Sequence, residues 1–129
     1  MTVASSNNLR LVAFLQRGVK ARTLKGLAAL LGLGLPEFAL AVSIPQRTLD
    51  RRMAHNETLR MDEAERALRV ARLLAKAREV FEDREEAAAW FRNQLAILGG
   101  RSPLELCKTE PGAREVEQTL GRIEHGVFS

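Results

Sequence analysis

A short stretch of polar and basic side chains between residues 43 and 52 has the composition of a surface that binds a polyanion. Amide, hydroxyl and guanidinium groups can hydrogen-bond to base edges, and arginines neutralise phosphates. We predict DNA contacts for the residues of this stretch that carry such groups: Ser43, Gln46, Arg47, Thr48, Arg51 and Arg52. Asp50 lies among them and opposes their positive field.

This chemistry requires a helix that exposes one face, and the surrounding sequence predicts a helix-turn-helix. Pro36 is suited to the first turn of a short helix that continues to Val42. Ser43 followed three residues later by Gln46 has the pattern of a capping box, which predicts a second short helix over residues 46–52. The same pattern also fits a plain helical hairpin whose basic face is only solvated.

The charge of the chain is divided unevenly, which favours two kinds of partner. The 129 residues carry a net charge of +4, but residues 1–60 hold nine Lys/Arg against three Asp/Glu, whereas residues 61–129 hold eleven against thirteen. A basic half joined to a mildly acidic half is expected where one of two partners is a polyanion. A basic half of this kind can also be merely solvated.

Helical signals run along the whole chain, and the predicted fold class is all-α. With one Trp, five Phe and no Tyr, the core must consist mostly of Leu, Ala and Val, which suits helices. A first helix is predicted over residues 8–19, with Leu9, Val12 and Phe14 among its apolar positions. Predicted N-terminal caps of later helices are Thr23, Asp62, Asp83, Ser102 and Thr109.

The longest predicted helix covers residues 63–81 and has a broad apolar stripe. Such a helix is typical of the central rod of a domain or of the seam of a dimer, and the predicted dimer uses the Leu68–Leu74 helix or its neighbours. The basic residues of this helix are predicted to form a solvated face paired with acids: Arg66, Arg69, Arg72, Lys76 and Arg78.

Residues that could support catalysis or hold a metal are few. His55 and His125 lie far apart and have no neighbours at metal-ligand spacing, and Cys107 sits in an apolar stretch, as a small buried hydrophobe does. We therefore predict no enzymatic activity, no metal and no cofactor. We also expect no signal peptide, no membrane-spanning segment and a cytoplasmic location.

The second half of the chain resembles the Xre/MbcA/ParS-type antitoxins that accompany RES-domain toxins. The resemblance rests on Leu98–Leu106, on Thr109, Gly112 and Val116, and on Leu120–Ser129. Weaker likeness continues through Arg47–Leu49, Arg51–Arg52 and Leu68–Leu74, so that residues 24–129 are covered. The chain departs from the family pattern at Ala96–Ile97, where a proline is expected, and at Arg60–Asp62, where Ser/Thr-Pro is expected; both departures should alter local caps only.

The resemblance implies two activities. Members of the family are expected to repress their own operon as homodimers bound to operator DNA, and to neutralise a RES-domain toxin that consumes NAD or transfers ADP-ribose from it. The C-terminal region is expected to block the toxin's nucleotide cleft sterically. The family's toxin contacts carry over to Gly99, Gly100, Arg101, Arg122, Glu124, His125, Val127, Phe128 and Ser129.

The helix pattern and the resemblance together predict four parts of the chain, of which the first lies outside the resemblance. Residues 1–22 are a helical extension, 23–60 a helix-turn-helix region, 61–81 a central helix and 82–129 a toxin-binding domain. The apolar pair Val127 and Phe128 favours the antitoxin interpretation, because such residues at a chain end suit docking into a partner. Without the resemblance, Phe128 fits equally well as a residue that folds back onto the protein's own helices. The alternatives are a stand-alone helix-turn-helix regulator, with a ligand-sensing or merely dimerising C-terminal half, and an adaptor that does not bind DNA.

Overall fold

A computed structural model describes the backbone of residues 2–126 and the side chains of residues 9–126. Within these ranges the regular elements are helical, which confirms the all-α prediction. The helices are α1 (Thr2–Arg17), α2 (Thr23–Leu31), α3 (Leu35–Val42), α4 (Gln46–Ala54), α5 (Met61–Phe81), α6 (Arg84–Arg92), α7 (Pro103–Leu106) and α8 (Glu110–Glu124). A 3-10 turn, Ala96–Leu98, lies between α6 and α7.

The predicted helix-turn-helix is formed by α3 and α4, with α2 packed beside them. α2 ends at Gly32 and α3 ends at Ser43, both in the left-handed region, with φ of 71° and 56°. The large apolar side chains of this region are fully buried: Leu31, Phe38, Val42, Ile44 and Leu49. Because the apolar face of each helix is used for this packing, the polar face of α4 is left to the solvent.

The central helix α5 is shared by both halves of the chain. Helices α1, α2 and α3 pack against it, and so do α6 and α8. The apolar residues that it buries are Ala64, Ala67, Val70, Leu73, Leu74 and Ala77. One continuous hydrophobic core therefore runs from the helix-turn-helix region to α8.

The C-terminal helices begin at caps that the sequence predicts. Asp83, Ser102 and Thr109 each accept a hydrogen bond from the backbone N–H three residues later, at 2.9, 3.0 and 3.1 Å. Gly112, in the first turn of α8, lies so close to the Leu106 carbonyl that a Cβ there would overlap it. This close approach joins α7 to α8.

Two predicted caps near the helix-turn-helix are wrong. Thr23 is the first residue of α2 rather than its N-cap, which is Arg22 in a helical conformation. Ser43 does not cap α4, because its left-handed backbone ends α3 and Pro45 occupies the cap position. The serine is therefore used in the turn itself.

The predicted cap of the central helix is also wrong. α5 begins at Met61, and Asp62 lies in its first turn. The N-cap is Arg60, whose backbone N–H donates to the side chain of Glu63 at 2.9 Å. The helix is capped by the acid of its third residue because no side chain at the cap position accepts a bond.

α1 differs from its predicted bounds. It covers Thr2–Arg17 instead of residues 8–19, and Gly18 ends it with φ of 91°. Three of its apolar residues, Leu9, Val12 and Phe14, are 68%, 46% and 37% exposed. The apolar pattern of this helix therefore does not mark a fully buried face.

Among the described residues, no individual helix has both the length and the apolar character needed to cross a membrane. α2 and α3 reach that length and composition only as a pair, and they meet at a bend of 100°.

Candidate DNA-binding and partner-binding surfaces

The outer face of α4, which we call the reader helix, carries most of the predicted DNA contacts. Gln46, Arg47 and Arg51 are exposed, and Thr48 is half-buried. Arg47 and Arg51 are four residues apart and so lie on the same side of the helix. This face also includes Asp50, as the sequence indicates.

Arg52 lies differently from the other predicted DNA contacts. Its guanidinium lies between two carboxylates, with Nη1 3.2 Å from Glu57 Oε1 and Nη2 3.1 Å from Glu63 Oε2. Its Nε is 3.0 Å from Glu63 Oε1, which makes an ion pair without hydrogen-bond geometry. The Arg52 side chain is only 13% exposed. It is engaged inside the protein and does not present its charge on the outer face.

Two further arginines fix the ends of the helix-turn-helix. Arg66 on α5 donates to the carbonyls of Val42 and Ser43 at 2.7 and 3.1 Å. Arg22, before α2, donates to the carbonyls of Met53 and Ala54 at 3.0 and 3.1 Å. These carbonyls lie at helix C-termini, where the helix itself leaves acceptors unpaired and favours a cation.

The remaining predicted DNA contact, Ser43, lies in the turn between α3 and α4. It is exposed, and its carbonyl accepts the bond from Arg66. The turn that carries it is thus held by the central helix.

The residues Gly99, Gly100 and Arg101, which we call the glycine loop, form one part of the predicted partner surface. Both glycines are left-handed, with φ of 69° and 83°. The loop closes through a bond from Gly100 N–H to the Leu95 carbonyl at 2.9 Å and one from Leu95 N–H to the Arg101 carbonyl at 3.1 Å. Ile97, beside the loop, is 52% exposed, so an apolar group accompanies it.

The end of α8 forms the other described part of that surface. Glu124 and His125 are exposed and Arg122 is half-buried, with its Nη2 3.8 Å from Glu115. α8 packs on α5 and α7, whereas the glycine loop is shaped by bonds within residues 95–101. The structure thus places the two sets on separate elements. The other predicted toxin contacts, Val127, Phe128 and Ser129, lie outside the described residues.

Sequence reasoning missed the inward-facing arginines. Arg66 and Arg69 on α5 pair with acids as predicted, but the prediction that they are solvated is wrong, since their side chains are 22% and 16% exposed. Arg69 donates to the Cys107 carbonyl at 2.9 Å. Arg92 on α6 donates to the Leu31 carbonyl at 2.6 Å, which joins the C-terminal helices to α2. Arg72 fits the prediction, since it is 38% exposed and pairs with an acid.

The cysteine and the two histidines differ in their burial. Burial raises the pKa of the Cys107 thiol to about 12, and the nearby Arg69 and Arg72 oppose this only in part. The predicted burial of Cys107 is confirmed, because 1% of the residue is exposed. His55 and His125 are both exposed. Over the part of the chain that the structure describes, no group of three His, Cys, Asp or Glu could hold a metal ion.

Comparison with known proteins finds two family matches that divide the chain. Residues 10–72 match the antitoxin Xre-like helix-turn-helix domain. Residues 76–126 match the antitoxin Xre/MbcA/ParS C-terminal toxin-binding domain. The first match covers the second half of α1, all of α2–α4 and part of α5, and the second begins within α5 and extends through α8.

Curated relatives agree with these matches. The chain is 42% identical to an Antitoxin Xre of Yersinia enterocolitica over 94 residues, which is 72% of this chain and 64% of that protein, just under two thirds of its length. It is 27% identical over 127 residues to a Prs ADP-ribosylating antitoxin of Sphingobium sp., covering 92% of this chain and 80% of the relative. An Antitoxin Xre of Photorhabdus laumondii is 29% identical over 126 residues, with 97% and 85% covered.

Proposed function

The chain belongs to the Xre/MbcA/ParS antitoxins, and from this membership we propose that it is a type II antitoxin with two binding activities. Its C-terminal region binds a RES-domain, NAD-consuming toxin and blocks the toxin's active site sterically. Its reader helix binds operator DNA and represses its own operon. One observation carries the proposal: the central helix α5 connects the exposed, basic reader helix to the matched toxin-binding domain.

The proposed toxin surface consists of the glycine loop, the end of α8 and the last three residues. The two left-handed glycines of the loop carry no side chains, so a partner can approach the backbone closely at these two positions. Arg101, Glu124 and His125 supply exposed charged or polar groups. Phe128 is the proposed apolar anchor, because buried aromatic side chains dominate the energy of many interfaces.

Co-expression with the product of the adjacent gene tests the toxin partner. We expect that product to arrest growth alone, and to co-purify with this chain when both are made. Deletion of residues 127–129 should abolish protection while leaving the α-helical circular dichroism unchanged. The matched control is the reader-helix variant Arg47→Ala/Arg51→Ala, which should still protect. Full protection by the truncated chain would exclude the proposed role of the last three residues.

The proposed DNA contacts are Ser43, Gln46, Arg47, Thr48 and Arg51. The variant Arg47→Ala/Arg51→Ala should reduce operator affinity and lower the slope of log K against log salt by about two units, since each phosphate contact contributes about 0.9. The control Arg84→Ala/Arg114→Ala removes the same charge from exposed positions on α6 and α8. An equal slope in the two variants would contradict the proposed contacts.

The proposed homodimer requires a surface other than the whole Leu68–Leu74 segment, because Leu73 and Leu74 are fully buried within the chain. The outer face of α1, where Leu9 and Val12 are exposed, is the proposed seam. Light scattering at micromolar concentration should give a dimer for the parent and a monomer for Val12→Glu. A parent that is monomeric would remove the dimer from the proposal.

A stand-alone regulator is the alternative function. The exposed face of the reader helix favours it as much as it favours the antitoxin. Operator binding without any co-purifying partner, and normal growth when the adjacent gene is expressed alone, would select the regulator.

A further inference from the structure

Contacts between the reader helix and the first turns of α5 fix the orientation of the reader helix. We propose that Glu63, with Arg52 and Arg66, forms a positioning clamp that sets the angle of the reader helix for operator DNA without touching the DNA. This inference rests on the proposed DNA-binding function. It makes recognition of the operator sequence depend on residues that lie outside the proposed DNA-contacting face of the reader helix.

Glu63 is the centre of the clamp. It is only 4% exposed, although it is a carboxylate. Its Oε1 accepts the backbone N–H of Arg60 at 2.9 Å and lies 3.0 Å from Arg52 Nε, while Oε2 accepts from Arg52 Nη2 at 3.1 Å. One buried side chain thus caps α5 and holds the last turn of α4. A buried charge with this many partners is costly to disturb, because removal of one partner leaves the other buried and unpaired.

Arg66 lies three residues further along α5 and holds the other end of the same unit. Its bonds to the carbonyls of Val42 and Ser43 fix the turn that precedes the reader helix. The two ends of the unit are therefore tied to adjacent turns of one rigid helix. Such support fixes orientation more narrowly than apolar packing, because hydrogen bonds depend on angle as well as distance.

The variant Glu63→Gln tests the clamp through the sign of its effect. Loss of one negative charge near DNA should by itself strengthen binding, as expected for the control Glu65→Gln, an exposed residue of the same helix. The clamp predicts the opposite. Operator affinity should fall about tenfold for one lost charge-assisted hydrogen bond, whereas affinity for a scrambled duplex should change only as it does in Glu65→Gln and the salt slope should stay unchanged.

Arg52 variants separate positioning from contact. Arg52→Ala should lower operator affinity without changing the salt slope, and Arg52→Lys, which keeps the charge but loses the paired bonds, should lower it less. A slope that falls by about one unit in Arg52→Ala would make Arg52 a phosphate contact and overturn the clamp. Operator affinity that rises in Glu63→Gln as in Glu65→Gln would also overturn it.

Circular dichroism at the assay temperature measures the unfolded fraction of each variant, which separates a loss of positioning from a loss of folding. Glu63→Gln and Arg52→Lys could lose the same share of affinity for operator and for scrambled DNA, in proportion to their unfolded fractions. The clamp would then only stabilise the fold, and its positioning role would be overturned. A parent chain that shows no operator binding would instead remove the proposed DNA function itself. The two failures are thus distinguishable.

Discussion

The reader helix and the glycine loop are both exposed, yet they are held in different ways. The reader helix is bound by side chains from distant parts of the chain, with Arg22 at its C-terminus and Arg66 at the turn before it. The glycine loop is shaped by its own backbone bonds within residues 95–101. A rigidly held helix suits a regular target such as a duplex, whereas a bare backbone loop suits close contact with a protein surface. Substitutions should therefore act through side chains in one region and through backbone geometry in the other.

The largest effect that this comparison predicts is on the C-terminal region, at Gly112. A Cβ at this position would overlap the Leu106 carbonyl, and backbone atoms cannot move away cheaply. Gly112→Ala should lower the free energy of unfolding by about 3 kcal/mol, measured in urea, because α7 and α8 must separate. Gly121→Ala is the matched control, since no heavy atom lies within 4 Å of its Cβ, and it should stabilise the same helix by about 0.5–1 kcal/mol. Equal stabilities of the two variants would contradict the proposal that the close approach of the Gly112 and Leu106 backbones limits this position to glycine.

A smaller effect is expected where the two regions meet. Arg92→Leu removes the bond to the Leu31 carbonyl at the end of α2, and should cost about 1–2 kcal/mol in thermal or urea unfolding because that acceptor loses its charged donor. Arg84→Leu, an exposed residue on the same helix, is the control and should leave stability unchanged. Identical melting of the two variants would show that the bond adds nothing to the junction.

Within the glycine loop, backbone geometry should matter more than the charge of its side chain. Gly100→Ala must hold alanine at φ of 83° and should cost about 1 kcal/mol of stability, whereas Arg101→Ala should cost none. Chemical unfolding measures both. A stable Gly100→Ala chain would mean that the loop changes shape freely.

The smallest expected effect is on Cys107, which reports whether the C-terminal region opens. Because burial raises its pKa to about 12, the thiol is protonated at pH 8 and should not react with a disulfide reagent until the chain unfolds. The unfolded thiol ionises near pH 9.0, so the stability linked to this group is complete below pH 9.0 and is lost as the pH rises towards 12. Stoichiometric labelling of the native chain within minutes would contradict this burial.

Local signals in the sequence predict much of the fold. The caps at Asp83, Ser102 and Thr109 are confirmed because each depends on a side chain and an N–H only three residues apart. Asp62 fails because another acid three residues from the true cap competes for the helix start. Thr23 and Ser43 fail because the backbone is already helical at Arg22 and left-handed at Ser43. A capping pattern therefore identifies a helix start where the capping residue itself has an extended backbone, as at Asp83, Ser102 and Thr109.

The inward turn of the arginines could not be predicted in this way. Arg66 bonds to a carbonyl 24 residues away, and Arg92 to one 61 residues away, so their partners are defined only by the packed fold. An arginine on a helix surface pattern has the same sequence signature whether it faces water or a helix end. Four of the six predicted DNA contacts are exposed and Thr48 is half-buried, whereas Arg52 is engaged inside the protein. The exposed four are Ser43, Gln46, Arg47 and Arg51.

The sharing of α5 by both halves has a consequence for modularity. The two family matches meet between residues 72 and 76, in the middle of one uninterrupted helix. A chimaera that exchanges C-terminal halves between relatives would have to exchange the facing core residues of α5 as well. The two halves should therefore unfold together, and calorimetry should record one cooperative transition instead of two.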